Sequence, residues 1–247
     1  MKHFDKLYNT LLESLSNDDK LYVTKTKEGG ALYYKDPEKT ILHRDDGPAV
    51  VRTMGPKIWY VNGKKHQEKG SKGVEKIWYK DGLKHRTDGP AIERSDGTKI
   101  WFQNDKHHRI DGPAIEHANG NKEWRVNGMV HREGAPAVVQ ADGTKMWFKN
   151  NKFHRMDGPA IEQADGHKEW YVDGKRHRDV GPAIEYSDGS KEWFVNDVRH
   201  NESGPAIERA NGHKEWYLNG KPATEHEVQL LQAKKLTADD IDDISNW

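Results

Sequence analysis

One unit decides the fold of this chain, and its clearest copy reads Gly181-Pro-Ala-Ile-Glu-Tyr-Ser-Asp-Gly-Ser-Lys-Glu-Trp-Phe-Val-Asn-Asp-Val-Arg-His200. Eight tryptophans mark eight copies, and successive tryptophans are 23 residues apart except for a first step of 19. These residues are Trp59, Trp78, Trp101, Trp124, Trp147, Trp170, Trp193 and Trp216. A fixed period of this length is typical of repeat architectures, in which each copy packs mainly on its neighbours.

Each copy contains two turn signals that divide it into strands. The first is an Asp-Gly or Asn-Gly pair, such as Asp188-Gly189, and the second combines Asn, Asp and Gly, as at Asp173-Gly174. These residue types tolerate the positive φ that type I′ turns require. Between the two turns lie stretches such as Ser190 to Val195, rich in aromatic and β-branched residues and of strand length. The unit is therefore predicted to be a β-hairpin.

Two strand registers are compatible with the Asp188-Gly189 turn. A two-residue loop pairs Glu185 with Glu192, whereas a slip of one residue pairs Glu185 with Lys191. Like charges directly opposite each other are unfavourable, but both glutamate positions become apolar together in other copies, as Val51 with Ile58 and as Val139 with Met146. We therefore expect the two-residue loop. This register puts Ile, Trp and Val of every copy on one buried face, so the eight tryptophans form the structural core, and puts the glutamates on the open face.

The ends of the chain depart from the repeat and predict helical caps. Residues 3–16 carry apolar side chains at helical spacing, namely Phe4, Leu7, Tyr8, Leu11, Leu12 and Leu15. Thr224-Glu225-His226-Glu227 is a capping box that opens a short helix, and Thr237 resembles a second helix start. We predict a mainly β protein. A capping helix at residues 1–20 precedes an elongated single-layer antiparallel hairpin array at 21–222, in about eight copies. A helical cap with an acidic tail follows at 223–247.

Composition narrows the class of protein. Lysine plus arginine and aspartate plus glutamate number 40 each, so no net charge draws the chain toward nucleic acid or anionic lipid. The chain has no cysteine, which excludes disulfides and thiolate chemistry. No apolar run reaches the roughly 20 residues of a membrane span, and the N-terminus lacks the apolar core of a signal peptide. We expect a cytoplasmic protein, which means the host cytoplasm if the source is viral.

The repeats resemble a known family. Hairpins built around Asp-Gly-Ser-Lys and around Asn/Asp-Gly-Lys-x-His, at a 23-residue period, are similar to MORN repeats, in particular to the bacterial and phage variant, over roughly residues 31–222. MORN units usually place Gly shortly after the His, where this chain has Arg178 and only then Gly181-Pro182. The resemblance implies a twisted hairpin array that acts as a scaffold or binding surface, and it transfers no catalytic residue.

Nothing in the pattern predicts a catalytic, cofactor or metal site. The repeated histidines should lie about 10 Å apart along the array, because each copy adds two strands, whereas ligands of one zinc ion must each approach to about 2.0–2.1 Å. No glycine-rich phosphate loop follows a strand and opens a helix. Catalysis requires one asymmetric constellation, and this chain offers eight similar copies. We expect no enzyme activity, no cofactor and no stoichiometric metal.

We expect a non-enzymatic scaffold that binds another protein, and a phage origin would suggest an inhibitor or adaptor of a host protein. The predicted contact residues lie where the repeat breaks its own rules, namely at Arg125, Met129, Val130, Val139 and Met146. Together they suggest an apolar interruption of an acidic face; the alternative is that the array bends or packs on itself there. A second hypothesis is single-stranded nucleic-acid binding through recurring aromatic and basic residues. The oligomeric state stays open, with a homodimer as one possibility.

Overall fold

The protein is described by a computed structural model that covers residues 20–71 and 74–244. The predicted N-terminal helix at residues 3–16 lies outside the described residues. The described residues divide into two compact units between Ala118 and Asn119. Both units consist of antiparallel β-hairpins, and the prediction of a mainly β hairpin array is confirmed.

The described residues of the first unit form twelve strands. They are β1 (Tyr22–Lys25), β2 (Ala31–Tyr34), β3 (Val50–Val51), β4 (Lys57–Val61), β5 (Lys64–Ser71), β6 (Val74–Lys80), β7 (Leu83–Lys84), β8 (Ile92–Arg94), β9 (Lys99–Ile100), β10 (Phe102–Gln103), β11 (Lys106–His107) and β12 (Ile115–Glu116). A ladder of antiparallel pairs runs through β1, β2, β3, β4, β5, β6, β8, β9 and β12. The long hairpin of β5 and β6 lies at the irregular 19-residue step between Trp59 and Trp78.

In the second unit, residues 119–244 form eighteen strands and one helix. They are β13 (Lys122–Glu123), β14 (Arg125–Val126), β15 (Met129–Val130), β16 (Val138–Val139), β17 (Lys145–Met146), β18 (Phe148–Lys149), β19 (Lys152–Phe153), β20 (Ile161–Glu162), β21 (Lys168–Glu169), β22 (Tyr171–Val172), β23 (Lys175–Arg176), β24 (Ile184–Glu185), β25 (Lys191–Glu192), β26 (Phe194–Val195), β27 (Val198–Arg199), β28 (Ile207–Glu208), β29 (Lys214–Leu218), β30 (Lys221–Ala223) and helix α1 (Glu225–Ile244). Strands β13, β16, β17, β20, β21, β24, β25, β28 and β29 form one ladder. The remaining strands form short two-stranded ribbons or, in the case of β30, pair with the end of β29.

The first turn of each copy differs from the prediction. Ile184 lies opposite Glu192, and Glu185 lies opposite Lys191, which is the register slipped by one residue. The Tyr186 amide donates to the Ser190 carbonyl at 2.9 Å, and the Gly189 amide donates to the Tyr186 carbonyl at 3.0 Å. This is a three-residue loop that ends in one left-handed residue, Gly189, with φ +89°. The predicted two-residue loop is wrong. The observed three-residue loop requires positive φ only at the glycine, and it also places lysine opposite glutamate.

The second turn is the predicted type I′ turn. Asn196 and Asp197 have φ of 52° and 66°, and they connect Val195 directly to its partner Val198. Both central residues have positive φ at the corresponding turn of all eight copies. Asparagine, aspartate and glycine fill these positions because they adopt the left-handed conformation at the lowest cost.

The register gives the two faces of each ladder different chemistry. One face, here called the charged face, alternates lysine and glutamate instead of carrying the predicted glutamates alone. The pairs run Lys76, Glu93, Lys99, Glu116 in the first unit and Lys145, Glu162, Lys168, Glu185, Lys191, Glu208, Lys214 in the second. Opposite charges on facing strands each contribute roughly 0.2–1 kcal/mol. The ladder therefore accounts for part of the balance between acidic and basic residues.

The core is built from alanine and isoleucine more than from tryptophan. Ala183 is fully buried, and Ile184 beside it is 4% exposed; the alanines and most of the aliphatic residues at these two positions in other copies are buried as well. All eight tryptophans are only half-buried. Trp193 separates β25 from β26, and its amide donates to the Ala206 carbonyl at 2.9 Å. The strict Ala-Ile pair is thus the core of each copy, and the tryptophan packs at its margin, which corrects the predicted row of buried indoles.

Helix α1 closes the second unit. Its predicted capping box is confirmed, since the Thr224 amide donates to a Glu227 carboxylate oxygen at 2.7 Å and the Glu227 amide donates to Thr224 Oγ1 at 3.2 Å. Val228 is buried, and Gln232 Nε2 donates to the Glu202 carbonyl at 3.0 Å. The predicted second helix start at Thr237 is wrong, because α1 runs without interruption from Glu225 to Ile244.

Candidate binding groove

A recurring contact, here called the guanidinium clamp, is built from the sequence Arg-x-Asp-Gly-Pro-Ala-Ile-Glu. In the copy of Arg155, the guanidinium carbon lies 4.0 Å from the centre of the Trp147 ring. Arg155 Nε donates to Asp157 at 3.0 Å, and Nη1 donates to Glu162 at 2.8 Å. Nη1 also donates to the Pro159 carbonyl at 3.2 Å. One side chain therefore ties together a ring, two carboxylates and the backbone.

The glycine before proline is explained by the same contact. A Cβ atom on Gly158 would lie 2.8 Å from the guanidinium carbon of Arg155. The guanidinium is thus held between the Trp147 ring and the backbone at Gly158. Cation–π contacts contribute about 0.5–2 kcal/mol, and charge-assisted hydrogen bonds about 1.5–3 kcal/mol, so the clamp is an important tie between the loop and the strands.

Six arginines occupy this position, and each stacks on an aromatic ring at 3.9–4.2 Å from its centre. They are Arg44, Arg86, Arg109, Arg132, Arg155 and Arg178. The ring beneath Arg44 is Tyr33, so a tyrosine occupies here the place that tryptophan has in the other five clamps. The clamp also lowers the pKa of its exposed aspartates, because the arginine donates a hydrogen bond to Asp88, Asp111 and Asp157.

The copies differ in how many carboxylates the arginine receives. Arg44 has Asp46 but Val51 in place of the glutamate, and Arg178 has Glu185 but Val180 in place of the aspartate. Each of these two arginines therefore keeps one carboxylate partner.

Arg132 has lost both carboxylates. Gly134 stands where other copies have aspartate, and Val139 stands where they have glutamate. Arg132 still stacks on Trp124 at 4.0 Å and donates to the Pro136 carbonyl at 3.2 Å. Within the described residues, no carboxylate oxygen lies within 4.0 Å of its guanidinium nitrogens. The charge of this half-buried arginine is therefore balanced by no ion pair in this part of the chain.

Arg132 lines an open groove of about 350 Å³. Trp147, Phe148 and Met156 also line this groove, and Met156 is 75% exposed. Lys149 is an exposed member of the lining. The groove therefore combines an arginine that has no ion pair with apolar side chains, and the space beside Gly134 is open.

The repeated histidines join neighbouring copies. His154 Nδ1 accepts the Asp173 amide at 3.1 Å, and His177 Nδ1 accepts the Asn196 amide at 3.2 Å, so each of these rings accepts from the type I′ turn of the next copy. At the groove, His131 accepts the Asn150 amide at 3.3 Å in the same way. Among residues 20–71 and 74–244, no group of three or more His, Asp or Glu side chains could hold a metal ion.

The predicted contact residues do not form one patch. Val139 lies on the charged face between Lys122 and Lys145, whereas Met146 lies on the opposite face, paired with Val138. The prediction that Val139 and Met146 face each other is wrong, because it rested on the wrong register. Val139 matters because it takes the place of the glutamate whose carboxylate would bind Arg132.

The other predicted contact residues lie in or beside the ribbon of β14 and β15. Arg125 lies opposite Val130, and its guanidinium pairs with Glu123 at 2.9 Å. Met129 lies opposite Val126 and is 37% exposed. The sequence did contain a signal for Arg132: aspartate is missing two residues after it and glutamate is missing seven residues after it, which happens together in no other clamp copy.

The face opposite the charged face carries the core isoleucines, and in the second unit it also carries glutamates that have hydrogen-bond or ion-pair partners. Glu169 accepts from the Tyr171 hydroxyl at 2.8 Å, and Glu192, 4% exposed, accepts from Tyr186 and pairs with Arg199. Burial and the neighbouring carboxylate raise the pKa of Tyr171 and likewise that of Tyr186. These contacts hold the glutamates in fixed hydrogen bonds, which suits a structural role.

Comparison with protein-family models and with curated protein sequences finds no match for the chain. The similarity to MORN repeats therefore rests on the hairpin pattern alone. In the described residues, no helix has the length and apolar character needed to cross a membrane.

Proposed function

We propose that this protein is a non-enzymatic repeat scaffold that binds another protein, and that the Arg132 groove is part of the contact surface. The observation that carries the proposal is the loss of both clamp carboxylates at Arg132 alone. Removing the ion-pair partners of a half-buried guanidinium lowers the stability of the fold. Selection for stability alone would therefore not favour the arrangement at Arg132. A partner that supplies the missing interactions would restore that stability.

The surroundings of the groove favour a protein over a nucleic acid. Two carboxylates, Glu133 and Asp157, line the groove beside Arg132, and the Glu133 side chain is 88% exposed. Alternating lysine and glutamate on the charged face would repel as many phosphates as it attracts. The guanidinium also covers the Trp124 ring on one face, so this ring offers less surface for stacking a base.

A matched pair of substitutions tests the proposal. Val139→Glu restores the glutamate of the clamp, which should pair with the Arg132 guanidinium as Glu162 pairs with Arg155. Val51→Glu makes the same change at Arg44, which already has Asp46. The tagged wild type and both variants are used to capture proteins from cells of the native source, with quantitative mass spectrometry as the readout.

The expected result is a protein that the wild type and Val51→Glu retain and that Val139→Glu loses. Equal retention of every captured protein by Val139→Glu and the wild type would contradict the role of the groove. The cytoplasmic location, the kinship to MORN repeats and the hypothesis of a phage inhibitor or adaptor stay predictions until the partner is identified.

A further inference from the structure

We propose that the Arg132 groove receives one carboxylate side chain, from an aspartate or glutamate of the partner, which completes the guanidinium clamp between two molecules. This inference rests on the proposed function and specifies its chemistry. The chain itself supplies the template, because Arg155 shows how the same guanidinium on the same scaffold binds carboxylates. There, Nε binds Asp157 at 3.0 Å and Nη1 binds Glu162 at 2.8 Å.

The space for such a side chain is present at Gly134. A Cβ atom built on Gly134 has no heavy atom within 4 Å, so the space beside Gly134 is open. Gly134 also has φ +67°, a left-handed conformation that turns the loop away from the course it takes in the aspartate-containing copies. Arg132 Nη1 donates to the Pro136 carbonyl, but Arg155 Nη1 donates both to the equivalent carbonyl and to a carboxylate. The second N–H of Arg132 Nη1, together with Nε and Nη2, can therefore donate to a carboxylate of the partner.

The local charge selects a single negative charge. Among the residues that line the groove, Arg132, Lys149 and Arg155 are positively charged, and Glu133 and Asp157 are negatively charged. Their sum is one positive charge. A carboxylate neutralises it, whereas a phosphate carrying nearly two charges would leave an excess beside Glu133. The apolar side chains of Trp147, Phe148 and Met156 in the lining suit the methylene groups that carry a carboxylate on a protein side chain.

The test uses a defined probe in place of the unidentified partner. The probe is a short peptide with blocked termini and one glutamate among alanines, and its counterpart carries glutamine. Binding is followed by NMR through the Nε–Hε signal of Arg132, which is assigned by its disappearance in Arg132→Lys. Inorganic phosphate is titrated in parallel at the same ionic strength.

The glutamate peptide should shift the Arg132 signal saturably, and the glutamine peptide should bind at least tenfold more weakly. Val139→Glu should weaken binding of the glutamate peptide at least tenfold, whereas Val51→Glu should leave it unchanged. Equal shifts with both peptides, or an unchanged response in Val139→Glu, would overturn the inference. Tighter binding of phosphate than of the glutamate peptide would also overturn it, in favour of a phosphate-bearing ligand.

The failure of this inference and that of the proposed function can be told apart. If the peptide binds as expected but Val139→Glu loses no captured protein, the carboxylate site stands and its assignment to a protein partner fails. If a captured protein is lost from Val139→Glu while the peptide gives no shift, the scaffold function stands and the single-carboxylate chemistry is refuted.

Discussion

Replacing Val139 by glutamate should stabilise the second unit, although it introduces a charge into a strand. The new carboxylate would lie on the charged face between Lys122 and Lys145, and the two cross-strand pairs contribute roughly 0.2–1 kcal/mol each. An ion pair with Arg132 should add about 0.5–1 kcal/mol, because the equivalent side chains Arg155 and Glu162 are partly exposed to solvent. The lost valine contact costs about 1 kcal/mol. The net expectation is about 1 kcal/mol of added stability.

Urea denaturation at neutral pH measures this gain as a higher transition midpoint at unchanged slope. A double-mutant cycle separates the Arg132 contribution, since Val139→Glu should stabilise Arg132→Gln by about 0.5–1 kcal/mol less than it stabilises the wild type. A gain of the same size in both backgrounds would show that the lysines alone account for it. No gain in stability, or a loss, would refute the argument that a carboxylate at position 139 stabilises the Arg132 guanidinium.

Three further predictions concern other parts of the fold. Gly189→Ala should lower the free energy of unfolding by about 1 kcal/mol, because Gly189 has φ +89°; an unchanged urea midpoint would contradict the three-residue loop. Tyr171→Phe should cost about 1 kcal/mol by removing the hydroxyl that donates to Glu169. The double variant Glu169→Met with Tyr171→Phe should recover most of that cost, because it reproduces the Met146 and Phe148 combination of the preceding copy; a double variant weaker than the single one would oppose this. Finally, stability should be fully present above the ordinary aspartate pKa and decline as the pH falls through the lowered pKa values of Asp88, Asp111 and Asp157. Thermal melts between pH 7 and about pH 3 check the direction, and a midpoint that rises on acidification would contradict it.

The sequence predicted the repeat, the type I′ turn and the helix cap because each depends on local residue chemistry. Asn196-Asp197 fits a type I′ turn and few others, and Thr224 with Glu227 satisfies the first amides of a helix without help from distant residues. The register could not be read as easily. Asp188-Gly189 fits both a two-residue and a three-residue loop, and the covariation of Val139 with Met146 suggested the wrong one.

The wrong register also made the predicted faces of the sheet and the predicted contact site wrong. It placed the glutamates on one face, grouped Val139 with Met146 and assigned the core to the tryptophans. The actual core follows from Ala183 and Ile184, whose burial depends on ladder pairs between copies. The guanidinium clamp was equally hard to foresee, because Arg155 reaches a tryptophan eight residues earlier and a glutamate seven residues later, at distances set by loops of irregular shape.

The alternation of lysine and glutamate along the charged face has a consequence for how such a chain changes length. Each regular copy adds one lysine and one glutamate to the charged face, so a whole copy can be gained or lost by duplication or deletion while the alternation of charge along the ladder is preserved. The lysine or glutamate of an added copy would lie opposite a residue of the other sign in the neighbouring copy. Natural or engineered variants with more or fewer hairpins should therefore keep the same strand pairing.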